Sequence, residues 1–332
     1  MHRGYASEGL GAVAEACGNA GMSARRVAVR GHGHIPISGP LQLRSMRVTG
    51  PVVVTGASSG IGRACVERLS KAGVRTFPTV RKDADALALA QACGPLVEPV
   101  LADVTDAKSL ARAAAEIHDR LGGGRLGGLV NNAGVAWPGP AMVQPLDEIE
   151  QVIDTNLVGA MRAVQAFGPL LGAVPGAPGP KGRIVNITSV SGKFGYPFTA
   201  AYAASKHGLE GYSESLRREL MLTGVDVIVV GPGAVKTPIW GKGAAIDRSR
   251  YAGAGWAAPL ARLEESLAAM DAEGLEASVV ADVVLEALTA ARPKARYAPV
   301  PNPLVNWWLP QLLPKRLVDG VIAGRLGLRP QS

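Results

Sequence analysis

Cysteine is scarce. Three occur in 332 residues, Cys17, Cys65 and Cys93, and their spacing makes no metal or redox pair. An odd, scattered set excludes a disulfide framework and reads as a reduced, intracellular protein. Histidine is nearly as rare: five residues, with only His32 and His34 close together. No third ligand stands near that pair, so no metal site is expected. Long apolar runs are also missing. No stretch approaches the ~20 residues that cross a bilayer, and the N-terminus lacks the apolar centre of a secretory signal. A cytoplasmic location is the resulting expectation. The net charge is +8, but the basic residues are scattered and no dense basic run alternates with aromatics. A nucleic-acid partner is therefore not expected; a solvated basic surface that also suits a phosphorylated ligand is.

What the chain does have is 47% hydrophobic content, enough for one large core. Residues 1–49 show no sustained period, and five arginines against two acids precede Met46. They read as a disordered extension. A transit sequence fits less well, because glycine is too frequent for an amphipathic helix. Met46 stands directly before the first strand and is a candidate start.

From residue 50 the chain alternates between β-branched runs and helical stretches. Strands are expected at 51–55, 74–80, 96–101, ending at 131, at 183–188 and at 225–230. Helices are expected at 60–72, 83–92, 107–121 (opened by Asp106 as a cap), 146–172 and 198–222. Continuous Val/Ile strands separated by helices indicate a parallel sheet covered on both faces. The fold class is α/β: a doubly wound, three-layer α/β/α sheet whose ligand site lies beyond the carboxyl ends of the strands. Residues 50–300 form that domain, 172–182 a surface loop, 238–274 a candidate lid, and 301–332 an apolar tail.

Two constellations carry chemistry. Thr55-Gly56-Ala57-Ser58-Ser59-Gly60-Ile61-Gly62 sits where a strand becomes a helix. Gly56 permits a tight turn, Gly60 lets main chain approach a pyrophosphate, and Gly62 allows close helix–strand packing. Downstream, Tyr202 and Lys206 stand four apart on one helical face, with Ser189 thirteen residues before the tyrosine. An unperturbed tyrosine has a pKa of about 10 and is a poor base at neutral pH. A neighbouring ammonium is expected to lower it.

These motifs, with Asn131-Asn132-Ala133-Gly134 and Pro232-Gly233-Ala234-Val235-Lys236-Thr237 in order, resemble the short-chain dehydrogenase/reductase family over residues 50–240. The resemblance implies a Rossmann-type fold and a nicotinamide-dependent oxidoreductase. It implies Tyr202 as proton donor or acceptor, Lys206 acidifying it and binding the nicotinamide ribose, and Ser189 bonding the substrate oxygen. Asn156 matches the family asparagine that holds a water linking the lysine to solvent. It places the cofactor against Thr55, Gly56, Ser58, Ser59, Gly60, Ile61 and Gly62, then Asn131, Ala133 and Gly134. Pro232, Gly233, Val235 and Thr237 would flank the nicotinamide. Asp103 and Val104 would lie over the adenine. Val80 occupies the position where an acid would select NAD, and Arg81 follows it, which favours NADP(H) over NAD(H).

The substrate is less defined. Val190, Phe194, Tyr196, Phe198 and Trp240 flank the catalytic segments and suit a lipophilic alcohol, aldehyde or ketone, steroid- or retinoid-like in class. Lys193 and Lys236 leave a carboxylate substrate open. The tail, interrupted by Pro310 and Pro314, is expected to pack over the pocket or on another subunit rather than lie on a membrane. The resemblance implies pairing through the helices at 146–172 and 198–222 into a homodimer or homotetramer. A silent dinucleotide-binding regulator is the alternative, opposed by the complete Ser189–Tyr202–Lys206 set.

Overall fold

Val52–Val54 form β1, and all three side chains are buried. β-Branched residues suit such a strand because it is covered on both faces. The other strands are β2 (Thr76–Val80), β3 (Val100–Leu101), β4 (Gly128–Asn131), β5 (Arg183–Ile187), β6 (Asp226–Val230) and β7 (Arg296–Tyr297). They form one sheet in the order β3-β2-β1-β4-β5-β6-β7, with every pair parallel. The computed structural model describes residues 48–239, 250–251 and 255–328. The N-terminal extension and Trp240 lie outside the described residues.

The strand order reverses between β1 and β4. That switch point opens a crevice at the carboxyl ends of the strands, where open α/β sheets bind ligands. Alternate side chains of β1 serve opposite layers. Val52 and Val54 pack with Cys65 and Leu69 of α1 (Gly60–Lys71) and with Val284 and Leu288 of α8 (Ala277–Thr289). Val53 packs with Phe77, with Ile117 of α3 (Ala107–Leu121) and with Phe167 of α5 (Gly159–Phe167). The three-layer α/β/α expectation holds. Phe167 is fully buried, and truncating such a side chain to alanine costs roughly 3–5 kcal/mol.

Local chemistry explains the element ends. Asp106 caps α3 as expected, its carboxylate accepting from the Lys108 amide at 2.8 Å. Gly122 ends that helix in the left-handed conformation that glycine adopts without strain. Asp83 and Asp85 stand in the first turn of α2 (Asp83–Cys93), where the helix dipole favours acids.

Three expectations change. The strand expected at 96–101 shortens to β3, preceded only by a single bridge between Thr76 and Val97. The helix expected at 146–172 is divided into α4 (Leu146–Ile153), a π-helical turn (Asp154–Val158), α5 and a closing 3₁₀ turn (Gly168–Leu171). A seventh strand, β7, was not expected; two residues are too few to show a period. Residues 257–273 of the expected lid form α7 (Ala257–Glu273), and the tail folds into a π turn (Leu304–Trp308), α9 (Leu309–Leu312) and α10 (Lys315–Leu326). Leu260 and Leu263 of α7 and Leu326 of α10 bury themselves with Phe198 and Tyr251.

Candidate active site

The glycine turn is fastened from the neighbouring strand. The Thr55 hydroxyl accepts from the amides of Asn132 and Ala133 at 3.0 and 3.1 Å. The Asn132 side chain donates to the carbonyls of Thr55 and Gly56, both at 3.0 Å. Gly56 has a φ of +64° and lies against Ala133, whose Cα would be 2.6 Å from any added Cβ. A Cβ on Gly62 would lie 2.5 Å from the Gly56 carbonyl. Only glycine therefore fits at either position. Ser59 is extended and precedes α1 without capping it with its side chain. With Ser58 and Ile61 it stands at the start of α1, where the amides of a helix N-terminus suit a phosphate. The residues present thus fit a dinucleotide pyrophosphate.

The ring closes through further glycines. Gly60 lies against Thr237, whose Cβ would be 3.3 Å from an added Cβ. Gly134 lies against Asn156 in the same way, at 3.2 Å from its Oδ1. Gly159 packs against Val104. The segment from Pro232 is tied to the serine turn, the Val190 amide donating to the Pro232 carbonyl at 2.8 Å. Gly233 bonds Pro299, while Val235 bridges to Leu275. Arg81 is exposed at the end of β2 and makes no ion pair among the described residues, so its guanidinium is open to a phosphate. Asp103 accepts from the Thr105 amide and hydroxyl with one carboxylate oxygen, at 2.9 and 2.8 Å.

Ser189, Tyr202 and Lys206 are brought together at the end of β5 and on α6 (Ala200–Glu219), and all three are buried. The Ser189 oxygen accepts from the Ser191 amide at 3.0 Å and is also hydrogen-bonded to Tyr202. The Lys206 ammonium donates to the Ile187 carbonyl at 2.9 Å and stands 5.7 Å from the centre of the Tyr202 ring. The expected lowering of Tyr202 by Lys206 is not what governs it. Burial pushes Tyr202 up to about 12, and the hydrogen bond from Ser189 pulls it down by less. Burial also lowers Lys206 to about 8. Both follow from one cause, since loss of water penalises phenolate and ammonium alike.

Asn156 sits in the π turn, a local widening that recurs at functional sites. Its oxygen accepts from the Val135 amide at 2.8 Å, and its amide donates to the Val135 carbonyl at 2.9 Å and to Ser205 at 3.1 Å. The side chain is thus committed to holding α6 in place. Asn131 donates to Asn186 at 2.9 Å, and Asn186 to Ser213 at 2.8 Å, which pins β4 to β5 and α6. The Asn131 oxygen is buried and has no hydrogen-bond partner among the described residues.

One residue escaped the sequence reading. Glu210 lies one turn beyond Lys206 and is buried. It accepts from the Thr188 hydroxyl at 2.7 Å and from Arg296 Nε at 3.0 Å, and pairs with Lys193 at 3.3 Å. Arg296 in turn stacks over Trp307, 4.3 Å from the ring centre. The network joins α6, the serine turn, β7 and the tail. Its partners lie 22 and 86 residues from Glu210; only a charged residue on the Tyr202–Lys206 helical face hinted at it. Lys193 pairs into this network, and Lys236 pairs with Glu276 at 2.7 Å. Phe198, expected at the substrate, is buried edge-on against Trp256, with ring centres 6.0 Å apart.

Comparison with known proteins agrees with this geometry. The model of the short chain dehydrogenase family matches residues 51–245. The chain is 36% identical over 269 residues to an NADPH-dependent 3-dehydrocapnine reductase of Ornithobacterium rhinotracheale, covering 81% of this chain and 94% of that one. It is 31% identical over 287 residues to human retinol dehydrogenase 5, covering 82% and 87%. Among solved structures, a short-chain dehydrogenase from Streptomyces avermitilis superposes with a TM-score of 0.64 at 28% identity, covering 83% and 95%. An actinorhodin polyketide ketoreductase with NADPH gives 0.59 at 30% identity, covering 76% and 95%. Fold, site and similarity converge: this chain belongs to the short-chain dehydrogenase family.

Proposed function

We propose that the protein is an NADP(H)-dependent oxidoreductase that interconverts a lipophilic ketone or aldehyde with its alcohol. The observation that carries this reading is the buried Ser189–Tyr202–Lys206 set beside the glycine turn. A bound nicotinamide supplies the hydride. Ser189 holds the carbonyl oxygen by a hydrogen bond, and Tyr202 gives its proton to that oxygen as the carbonyl carbon is reduced. Burial that pushes the phenol up to about 12 keeps it protonated at neutral pH, the form that donates to a carbonyl oxygen. The phenolate left behind is stabilised by the Lys206 ammonium beside the ring. Arg81, exposed at the end of β2, is suited to a 2′-phosphate by a fork of charge-assisted hydrogen bonds. The NADPH-dependent relative supports that preference. The relatives named for retinol and for capnine chemistry support a lipophilic substrate, steroid- or retinoid-like in broad class.

Purified protein with NADPH or NADH and a panel of lipophilic ketones and aldehydes, followed by absorbance of the reduced nicotinamide, tests the reading. Turnover with a lower KM for NADPH is expected, and Arg81→Ala should raise that KM by roughly tenfold, the worth of a charge-assisted hydrogen bond. No turnover with either cofactor would sink the activity, and a lower KM for NADH would overturn the cofactor.

A further inference from the structure

The C-terminal segment is apolar on two sides, and only one of them is used. Its inner side packs on the body. Ile322, Leu326 and Leu328 join Leu260 and Leu263, and Trp307 stacks on Arg296. Its outer side carries Leu304, Trp308, Leu309, Leu312, Leu317 and Val321, all exposed. Leu304, Trp308 and Leu312 recur every four residues, and Leu304 and Leu312 are 77% and 76% exposed. Pro314 divides the segment just before α10, whereas Pro310 lies inside the helical run that continues from the π turn into α9. The row from Leu304 to Leu312 therefore lies within one helical run. Exposed apolar side chains this dense along one segment mark an interaction site.

The charges beside the patch say what covers it. Lys315 and Arg316 stand at the start of α10 next to Leu317, and the Arg316 side chain is 98% exposed. One acid, Asp319, lies 3.9 Å from Arg316. Lysine is depleted from the cores of protein–protein interfaces. Lysine and arginine beside tryptophan and leucine are instead the composition of segments that lie in the headgroup region of a bilayer. No helix among the described residues is long and apolar enough to cross a membrane. We propose that the outer face of residues 304–321 docks on an anionic lipid surface, with Leu304, Trp308 and Leu312 in the acyl boundary and Lys315 and Arg316 against the phosphates. The same helix, α10, contributes Arg325 to the wall of a cavity of about 440 Å³ that also touches Val190 and Gly233. Docking would bring that cavity near the lipid. This surface stands on the exposed side chains and does not depend on the activity proposed above.

Flotation of the full chain with vesicles tests the proposal. The protein should float with phosphatidylcholine–phosphatidylserine vesicles and much less with phosphatidylcholine alone. Lys315→Glu with Arg316→Glu should cost roughly tenfold or more in affinity for the anionic vesicles. Leu304→Ser, Trp308→Ser and Leu312→Ser together should abolish flotation. Every substituted side chain is exposed, so thermal stability and NADPH binding should stay as in wild type. Wild-type protein that floats with neither vesicle overturns the proposal, as does a triple variant that floats equally well. A wild-type dimer in sedimentation that the triple variant dissociates, without flotation, assigns the face to a second copy instead and also overturns it.

Discussion

Between Thr55 and Gly62 the chain offers main chain to the crevice, whereas from Ser189 to Lys206 it offers buried side chains. The first half of the site is made by conformation: a positive φ at Gly56, two close approaches, and a strand-to-helix turn tied by Asn132. The second half is made by burial: Ser189, Tyr202 and Lys206 are each under one tenth exposed. The difference teaches what each half is sensitive to. Main-chain ligation fails when a Cβ alters the turn. Side-chain chemistry fails when a proton or a charge is removed, even with the backbone unmoved.

The sharpest way to separate the halves is Tyr202→Phe. It removes one oxygen and leaves the turn untouched. Turnover should fall by about 10²–10⁴-fold, the contribution of a positioned acid, while NADPH titration by fluorescence stays as in wild type. Turnover near the wild-type rate would remove Tyr202 from the chemistry. Glu210→Gln should act on stability first, because it strips the counter-charge from Arg296, whose side chain is only 19% exposed. Breaking a buried pair costs about 3–5 kcal/mol; partial exposure of the arginine reduces that here to roughly 2 kcal/mol, or about 5 °C in Tm. An unchanged Tm would show that the network does not anchor α6. An effect of similar size is expected from Gly62→Ala in the main-chain half, where the added Cβ meets the Gly56 carbonyl at 2.5 Å. Overpacking costs about 1–3 kcal/mol, felt as roughly tenfold weaker NADPH binding, with kcat at saturating cofactor retained. A loss of kcat at unchanged affinity would break the division between the halves.

Much of this division is written in local sequence. The valine triplet, the Val/Ile runs of β5 and β6 and the glycine spacing are short-range statements, and the structure follows them. Asp106 is another, since a cap needs only the next two residues. What was not legible depends on contacts far along the chain. β7 exists because Arg296 and Tyr297 meet β6, not because two residues favour a strand. The π turn at Asn156 answers to Val135 and Ser205, which no helical period reveals. The raised Tyr202 reflects the depth at which α6 lies, and a motif does not state depth. Glu210 and Arg296 need the whole sheet to come together.

The ladder between β6 and β7 has a practical meaning. Val229 and Val230 pair directly with Arg296 and Tyr297, so the chain leaves the sheet at one strand and returns at its neighbour. The two ends of the intervening chain are thus clamped side by side. Loop-closure entropy grows only slowly with length. Within the intervening chain α8 packs on β1 and belongs to the body, so residues 238–274 are the part an engineer could exchange or lengthen while the proposed proton donor and phosphate cradle stay where the sheet holds them.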